Sequence, residues 1–143
     1  MRIKVICVLI LIGLLTCGCS KKVYTACTNQ PLEEVVSIEL LDMHNNESVL
    51  YTMSESEIPS FWEELMTIEF HRCFNDPTTE YGILAIRITY KDGSFDIIGT
   101  DINGYYDSEG KGLRTGWFYV ADKNDYIRLF SQYIEQSLLP SIG

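Results

Sequence analysis

The pair Asp92-Gly93, set between ILAIRITY (residues 83–90) and SFDIIG (94–99), constrains the fold more than any other stretch of this chain. Both flanking runs alternate apolar with polar side chains, the period of a strand with one buried face. Leu84, Ile86, Ile88 and Tyr90 fall on one side, and Ala85, Arg87 and Thr89 on the other. Asp-Gly between such runs predicts a hairpin with a type I′ turn, whose two central residues need positive φ. A second hairpin is expected upstream. VVSIELLD (35–42) places Val36, Ile38 and Leu40 on one face, HNNES supplies turn residues, and VLYTM (49–53) returns.

Two amphipathic helices complete the pattern. In the first, Ser56 is the expected cap, Pro59 stands in the opening turn, and Ile58, Phe61, Trp62 and Leu65 make the apolar stripe. The second is expected to be capped by Asp122, with Asp125 favouring the positive end of the helix dipole and Pro140 ending it. Its stripe is Ile127, Phe130, Ile134 and Leu138. IEFHRCF (68–74) and WFYV (117–120) read as further strands, and the glycine-rich stretch 100–116 as either a long loop or a frayed hairpin turning at Asn103-Gly104. The order is β-β-α-β-β-β-loop-β-α. This is an α+β fold, a mainly antiparallel sheet of about five to six strands with two helices on one face. Its other face, carrying Ser37, Glu39, Glu69, His71, Arg87, Thr89 and Asp96, is expected to be solvated.

The N-terminus has a different grammar. Arg2 and Lys4 precede an apolar run from Val5 to Leu15, the arrangement of a secretory signal. The run is short of the ~18 apolar residues a membrane span needs. Thr16-Cys17-Gly18-Cys19 then resembles the lipobox of bacterial lipoproteins, in which a small residue precedes a cysteine that is acylated before cleavage. The resemblance implies lipid attachment at Cys19, with Cys17 as runner-up, because Gly18 suits a cut site better than the β-branched Thr16. Two acyl chains on one cysteine anchor stably where one does not. The implied address is the extracytoplasmic side of the cell membrane, held there by the lipid. CFNDPTTEYG (73–82) with ITYKDGS (88–94) is similar to small uncharacterised surface lipoproteins of Gram-positive bacteria, a likeness that implies no activity. The expected division is a signal peptide over 1–18, a lipidated flexible linker over 19–34, and one domain over 35–143.

Losing residues 1–18 leaves 125 of the 143 residues and takes Arg2 and Lys4 away, so nine basic residues face 20 acidic ones and the formal charge moves from −9 to −11. Nucleic acid is thereby excluded as a partner, since phosphate recognition demands clustered Lys and Arg. Cys27 and Cys73 remain as an even pair in an oxidising compartment. Either they bridge, closing a loop worth ~3–4 kcal/mol, or Cys73 stays a buried thiol while Cys27 moves freely.

No nucleophile–base, zinc or phosphate-binding motif occurs, so no catalytic residue, metal or cofactor is expected. Asp101, Asn103, Asp107 and Glu109 are oxygen ligands of the kind calcium uses, but their spacing is not that of an EF-hand. Tyr105, Tyr106, Trp117 and Tyr119, in or beside the glycine-rich stretch, are the candidate partner-binding residues, suited to stacking on a glycan or anchoring a protein. Only one of the adjacent Tyr105 and Tyr106 can face inward in an extended chain. The expected function is a lipid-anchored extracytoplasmic binding module; the second reading is an inhibitor or accessory subunit of a secreted or membrane enzyme.

Overall fold

The computed structural model describes residues 22–26, 28–72, 81–116 and 118–135, with 114–116 described by their backbone. Among these residues, nine strands and two α-helices follow one another as β1 (Val23–Tyr24), β2 (Val35–Asp42), β3 (Ser48–Thr52), α1 (Ile58–Leu65), β4 (Phe70–Arg72), β5 (Leu84–Tyr90), β6 (Phe95–Gly99), β7 (Asn103–Tyr106), β8 (Gly112–Gly116), β9 (Phe118–Val120) and α2 (Lys123–Ser131). They form a six-stranded sheet in the order β3-β2-β5-β6-β7-β8 and a three-stranded sheet in the order β1-β4-β9. Every pairing is antiparallel.

The alternation in β2, β5 and β6 puts Ile38, Leu40, Ile86, Ile88 and Ile98 on one face of the larger sheet, where both helices pack. Phe61 and Leu65 of α1, Tyr126 and Phe130 of α2, and Phe70 of β4 are wholly or almost wholly buried in this core. Each such side chain removed from water stabilises the fold by ~1.5–3 kcal/mol. The Tyr126 hydroxyl also donates to the Ile98 carbonyl at 2.6 Å, so α2 is pinned to the sheet by a polar contact inside an apolar layer.

Several local expectations change. Val36 is 49% exposed, because a bulge between Val35 and Ser37 in the β2–β5 pairing turns it outward while Val35 packs inward. At the Asp-Gly hairpin only Gly93 has positive φ, +83°, and its N–H donates to the Tyr90 carbonyl. That is the three-residue hairpin loop, with Gly in the left-handed position, and not a type I′ turn. Asp92 serves the loop by accepting from the Ser94 N–H and hydroxyl. The α1 N-cap is Glu57, and no side chain caps it. The turn before it already runs helically into α1, and Glu57 instead accepts from the Ser54 N–H, the Ser54 hydroxyl and the Tyr51 hydroxyl. Asp122 does cap α2, accepting from the Asn124 N–H at 2.8 Å. The buried stripe of α2, however, is Tyr126, Leu129 and Phe130, with Ile127 only half-buried. Leu138 and Pro140 lie outside the described residues.

Residues 22–26 and 28–34, expected as linker, belong to the fold. Val23 and Tyr24 pair with His71 and Phe70, Ala26 is 6% exposed within the core, and Leu32 packs against it. The reason is a buried acid. Asp96, expected on the solvated face, points inward from β6 and is 1% exposed. Its carboxylate accepts from the Asn29 N–H at 2.8 Å, from the Asn29 amide side chain and from the Tyr90 hydroxyl. A buried carboxylate needs such donors, and the lead segment brings two of them.

Asp96→Ala is therefore expected to remove the acceptor of the Tyr90 hydroxyl and of both Asn29 donors, at ~1–3 kcal/mol for the buried hydroxyl. Amide hydrogen exchange of residues 26–34 should accelerate with it. An exchange pattern unchanged in that segment would show that Asp96 does not hold it.

Candidate contact surface

The candidate residues do not gather in one place. Tyr105 lies opposite Asp96 in the β6–β7 register and packs against the core. Tyr106 lies opposite Phe95 on the other face of the sheet. Tyr119 lies opposite His71 in the three-stranded sheet, their rings 5.7 Å apart. Trp117, Cys17, Cys19, Cys27 and Cys73 lie outside the described residues. The stretch 100–116 is not a loop: it holds β7 and β8, and Asn103-Gly104 sits within β7. The turn falls at residues 107–111, where the Asp107 carboxylate accepts from the Glu109 and Lys111 N–H groups.

Around Tyr106 the face away from the helices carries an aromatic and ionic assembly. Phe95 and Tyr106 stack with centroids 5.0 Å apart and planes 12° apart. The Arg87 guanidinium stands over Phe95 at 5.4 Å, a cation–π contact, and reaches Glu47 at 3.1 Å and Glu39 at 3.8 Å. The Tyr106 hydroxyl bonds that of Tyr81. Tyr81 crosses the sheet where two residues lack side chains. A Cβ on Gly99 would overlap the Tyr81 carbonyl, and one on Gly104 would overlap the Tyr81 hydroxyl and crowd the Tyr106 ring. The Tyr81 carbonyl also accepts from the Thr100 N–H at 2.9 Å.

This face is thus not simply solvated. Leu41, Ala85 and Ile97 lie on it and are buried. Phe95 and Tyr106 are half-buried, while residues 108–113 at the β7–β8 turn are exposed and include Leu113 at 54%. Sequence reasoning missed Tyr81, Phe95 and Arg87. The pairing of Gly99 with Ala85 and of Gly104 with Ile97 leaves a shallow track across the sheet, but Gly99 reads as a strand end and Gly104 as a turn residue until the register is known.

The oxygen-rich side chains of 101–109 disperse. Asp101 meets Lys123 at 3.4 Å, Asp107 holds its own turn, and Asn103 is buried in β7. Among the described residues no three His, Cys, Asp or Glu side chains are grouped to hold a metal ion. No helix among them is long and apolar enough to cross a membrane. A shallow groove of about 210 Å³ runs between the helices beside Glu64, Asp125, Arg128 and Gln132. Those groups pair with each other, Arg128 with Asp125 at 3.0 Å and Gln132 with Glu64 at 2.8 Å. Comparison with known proteins adds no relative: no protein family, no curated protein and no solved structure matches this chain.

Burial raises the phenol pKa of Tyr81, Tyr90 and Tyr126 well above the ordinary 10.0, and hydrogen bonds to Tyr106 and Asp96 add to it for the first two. The unfolded chain ionises these groups near pH 10 and the folded chain does not. Their contribution to stability is therefore complete below pH 10 and is lost as pH rises above it. Alkaline titration at 295 nm should show three of the nine tyrosines silent until the protein unfolds. All nine ionising together near pH 10 in a still-folded protein would contradict the packing described.

Proposed function

We propose that this protein is a lipid-anchored extracytoplasmic interaction module, tethered through Cys19 and contacting a protein or glycan partner with the outer face of β6 and β7 and the exposed β7–β8 turn. The observation that carries the contact surface is the Phe95–Tyr106 stack, 5.0 Å apart and nearly parallel, on the sheet face away from the helices. The two stacked, half-buried rings form an aromatic patch of the kind that sugar rings and partner side chains pack on. Arg87 beside them is held by two carboxylates, Glu39 and Glu47, which fixes its position. The anchor rests on the basic start, the short apolar run and Gly18-Cys19.

The second reading, an inhibitor or accessory subunit of a secreted or membrane enzyme, draws on a different feature. β8 is the last strand of its sheet, and Leu113 near its start is exposed. An exposed strand edge can add to a partner's sheet or occupy a cleft.

Tyr106→Ala is expected to abolish capture of the partner from detergent-solubilised membranes while keeping a cooperative unfolding transition. Tyr105→Ala, which removes a ring packed on the core, should lower stability by ~2–4 kcal/mol. Identical partner profiles for wild type and Tyr106→Ala would remove the aromatic face from the proposal. A second variant, Leu113→Asp, then tests the strand-edge reading in the same assay.

A further inference from the structure

The three-stranded sheet is charged differently at its two ends. At one end stand Lys22, just before β1, Arg72, the last residue of β4, and Phe118, the first of β9. At the other stand Glu69, just before β4, and Asp122, two residues past β9. The antiparallel register sorts them. Val23 lies opposite His71 and Phe118 opposite Arg72, while the Ala121 N–H donates to the Glu69 carbonyl at 2.8 Å. Both cations and both acids are exposed. Arg72 and Glu69 are three residues apart, ~10 Å along the strand.

The cations share their end with aromatic rings. Alternate residues of a strand point the same way, so Lys22, Tyr24, Arg72 and Phe118 fall on one side of the sheet. The Lys22 ammonium stands 5.3 Å from the Tyr24 ring centroid, and Tyr24 meets Phe118 edge-on at 5.0 Å. Both rings are half-buried. No carboxylate among the described residues pairs with Lys22, whereas Arg87, Lys91, Lys123 and Arg128 each have one.

The anchor selects the occupant of this end. Lys22 is three residues beyond Cys19, with Lys21 between them. A fully extended chain covers at most ~3.6 Å per residue, so the Cα atoms of Cys19 and Lys22 stand no more than ~11 Å apart. A surface so close to a diacylated cysteine meets the headgroup layer. Basic residues there are drawn to anionic lipid, and a tyrosine ring favours the boundary between hydrocarbon and water. The same headgroups repel Glu69 and Asp122, so the two ends of the sheet orient it with the acids away from the bilayer.

We infer that the Lys22–Arg72 end of the three-stranded sheet, with Tyr24 and Phe118, is a contact site for anionic lipid headgroups. The inference rests on acylation at Cys19.

The test uses the full-length protein purified from membranes and reconstituted in vesicles of phosphatidylglycerol and phosphatidylethanolamine, or of phosphatidylcholine alone. Both carry a lipid with a headgroup diazirine, and after irradiation one mass spectrum reports the N-terminal peptide and the sites of lipid adducts. The expected result in phosphatidylglycerol vesicles is an acylated Cys19, with adducts on 22–24 and 118 about tenfold above those on 69 and 121–124. That ratio should fall about fivefold in phosphatidylcholine, and about fivefold in the Lys22→Gln/Arg72→Gln protein. Both substituted side chains are exposed, so unfolding of the variant should stay cooperative; if the variant does not fold, the lipid comparison on the wild-type protein decides. A non-acylated N-terminus overturns the anchor and this inference together. An acylated Cys19 with equal adducts at the two ends, as when this end meets another protein instead, overturns this inference and leaves the anchor standing. So does a ratio unmoved by the change of lipid or by the substitutions in a folded variant.

Discussion

The buried carboxylate of Asp96 organises more of this molecule than any apolar contact does. An acid 1% exposed is tolerated only where donors replace the water it has lost. One comes from Tyr90, six residues back across the hairpin. The others come from Asn29, 67 residues away, through both its backbone and its side chain. That demand draws the lead segment over the open end of the core. With Asn29 fixed, Ala26 seats among the core residues, and Tyr24 meets Phe118 edge-on with centroids 5.0 Å apart. Val23 and Tyr24 can then pair with β4, which creates the small sheet. A residue that reads as one more polar position in an alternating strand thus decides how the N-terminal segment is placed.

Much of the frame was legible in the residues, and the unread parts share one cause. The hairpins over 35–53 and 83–99, α1, and the Asp122 cap are local features in which residues a few positions apart determine the outcome. The α+β class and the antiparallel sheet follow from them. Asp96 was misplaced because Ser94, Asp96 and Ile98 share a parity, so the side with Ile98 is the core side, while Ile97 and Phe95 are apolar on the opposite face. Two apolar faces in one strand defeat a binary pattern. Val36 was misassigned because a bulge shifts parity by one residue and leaves no compositional mark. Pairing of β1 with β4, and of β4 with β9, depends on partners 46 and more residues away.

The contact surface was half legible for the same reason. Adjacency of Tyr105 and Tyr106 said that one ring points outward; the β6–β7 register identifies it as Tyr106. Nothing in the order of residues announced that Phe95 would stack on it or that Arg87 would stand over Phe95. Those contacts arise because three strands place positions 87, 95 and 106 on one face. Gly104, absent any side chain, leaves room there for Tyr81. The glycines that suggested irregularity instead make close packing possible on the sheet's second face.

The outer face of the large sheet and the small sheet are joined directly through the chain. Here the strand leaving the β7–β8 turn passes through Gly116 and, one residue later, enters the small sheet as β9. A single run of chain therefore links the exposed turn to the strand that carries Tyr119. The paired backbone of β7 and β8 gives that run little freedom to bend. A flexible linker would have decoupled the two ends. The Asp96–Asn29 tie removes that slack, so the orientation of the contact surface is set by the fold itself.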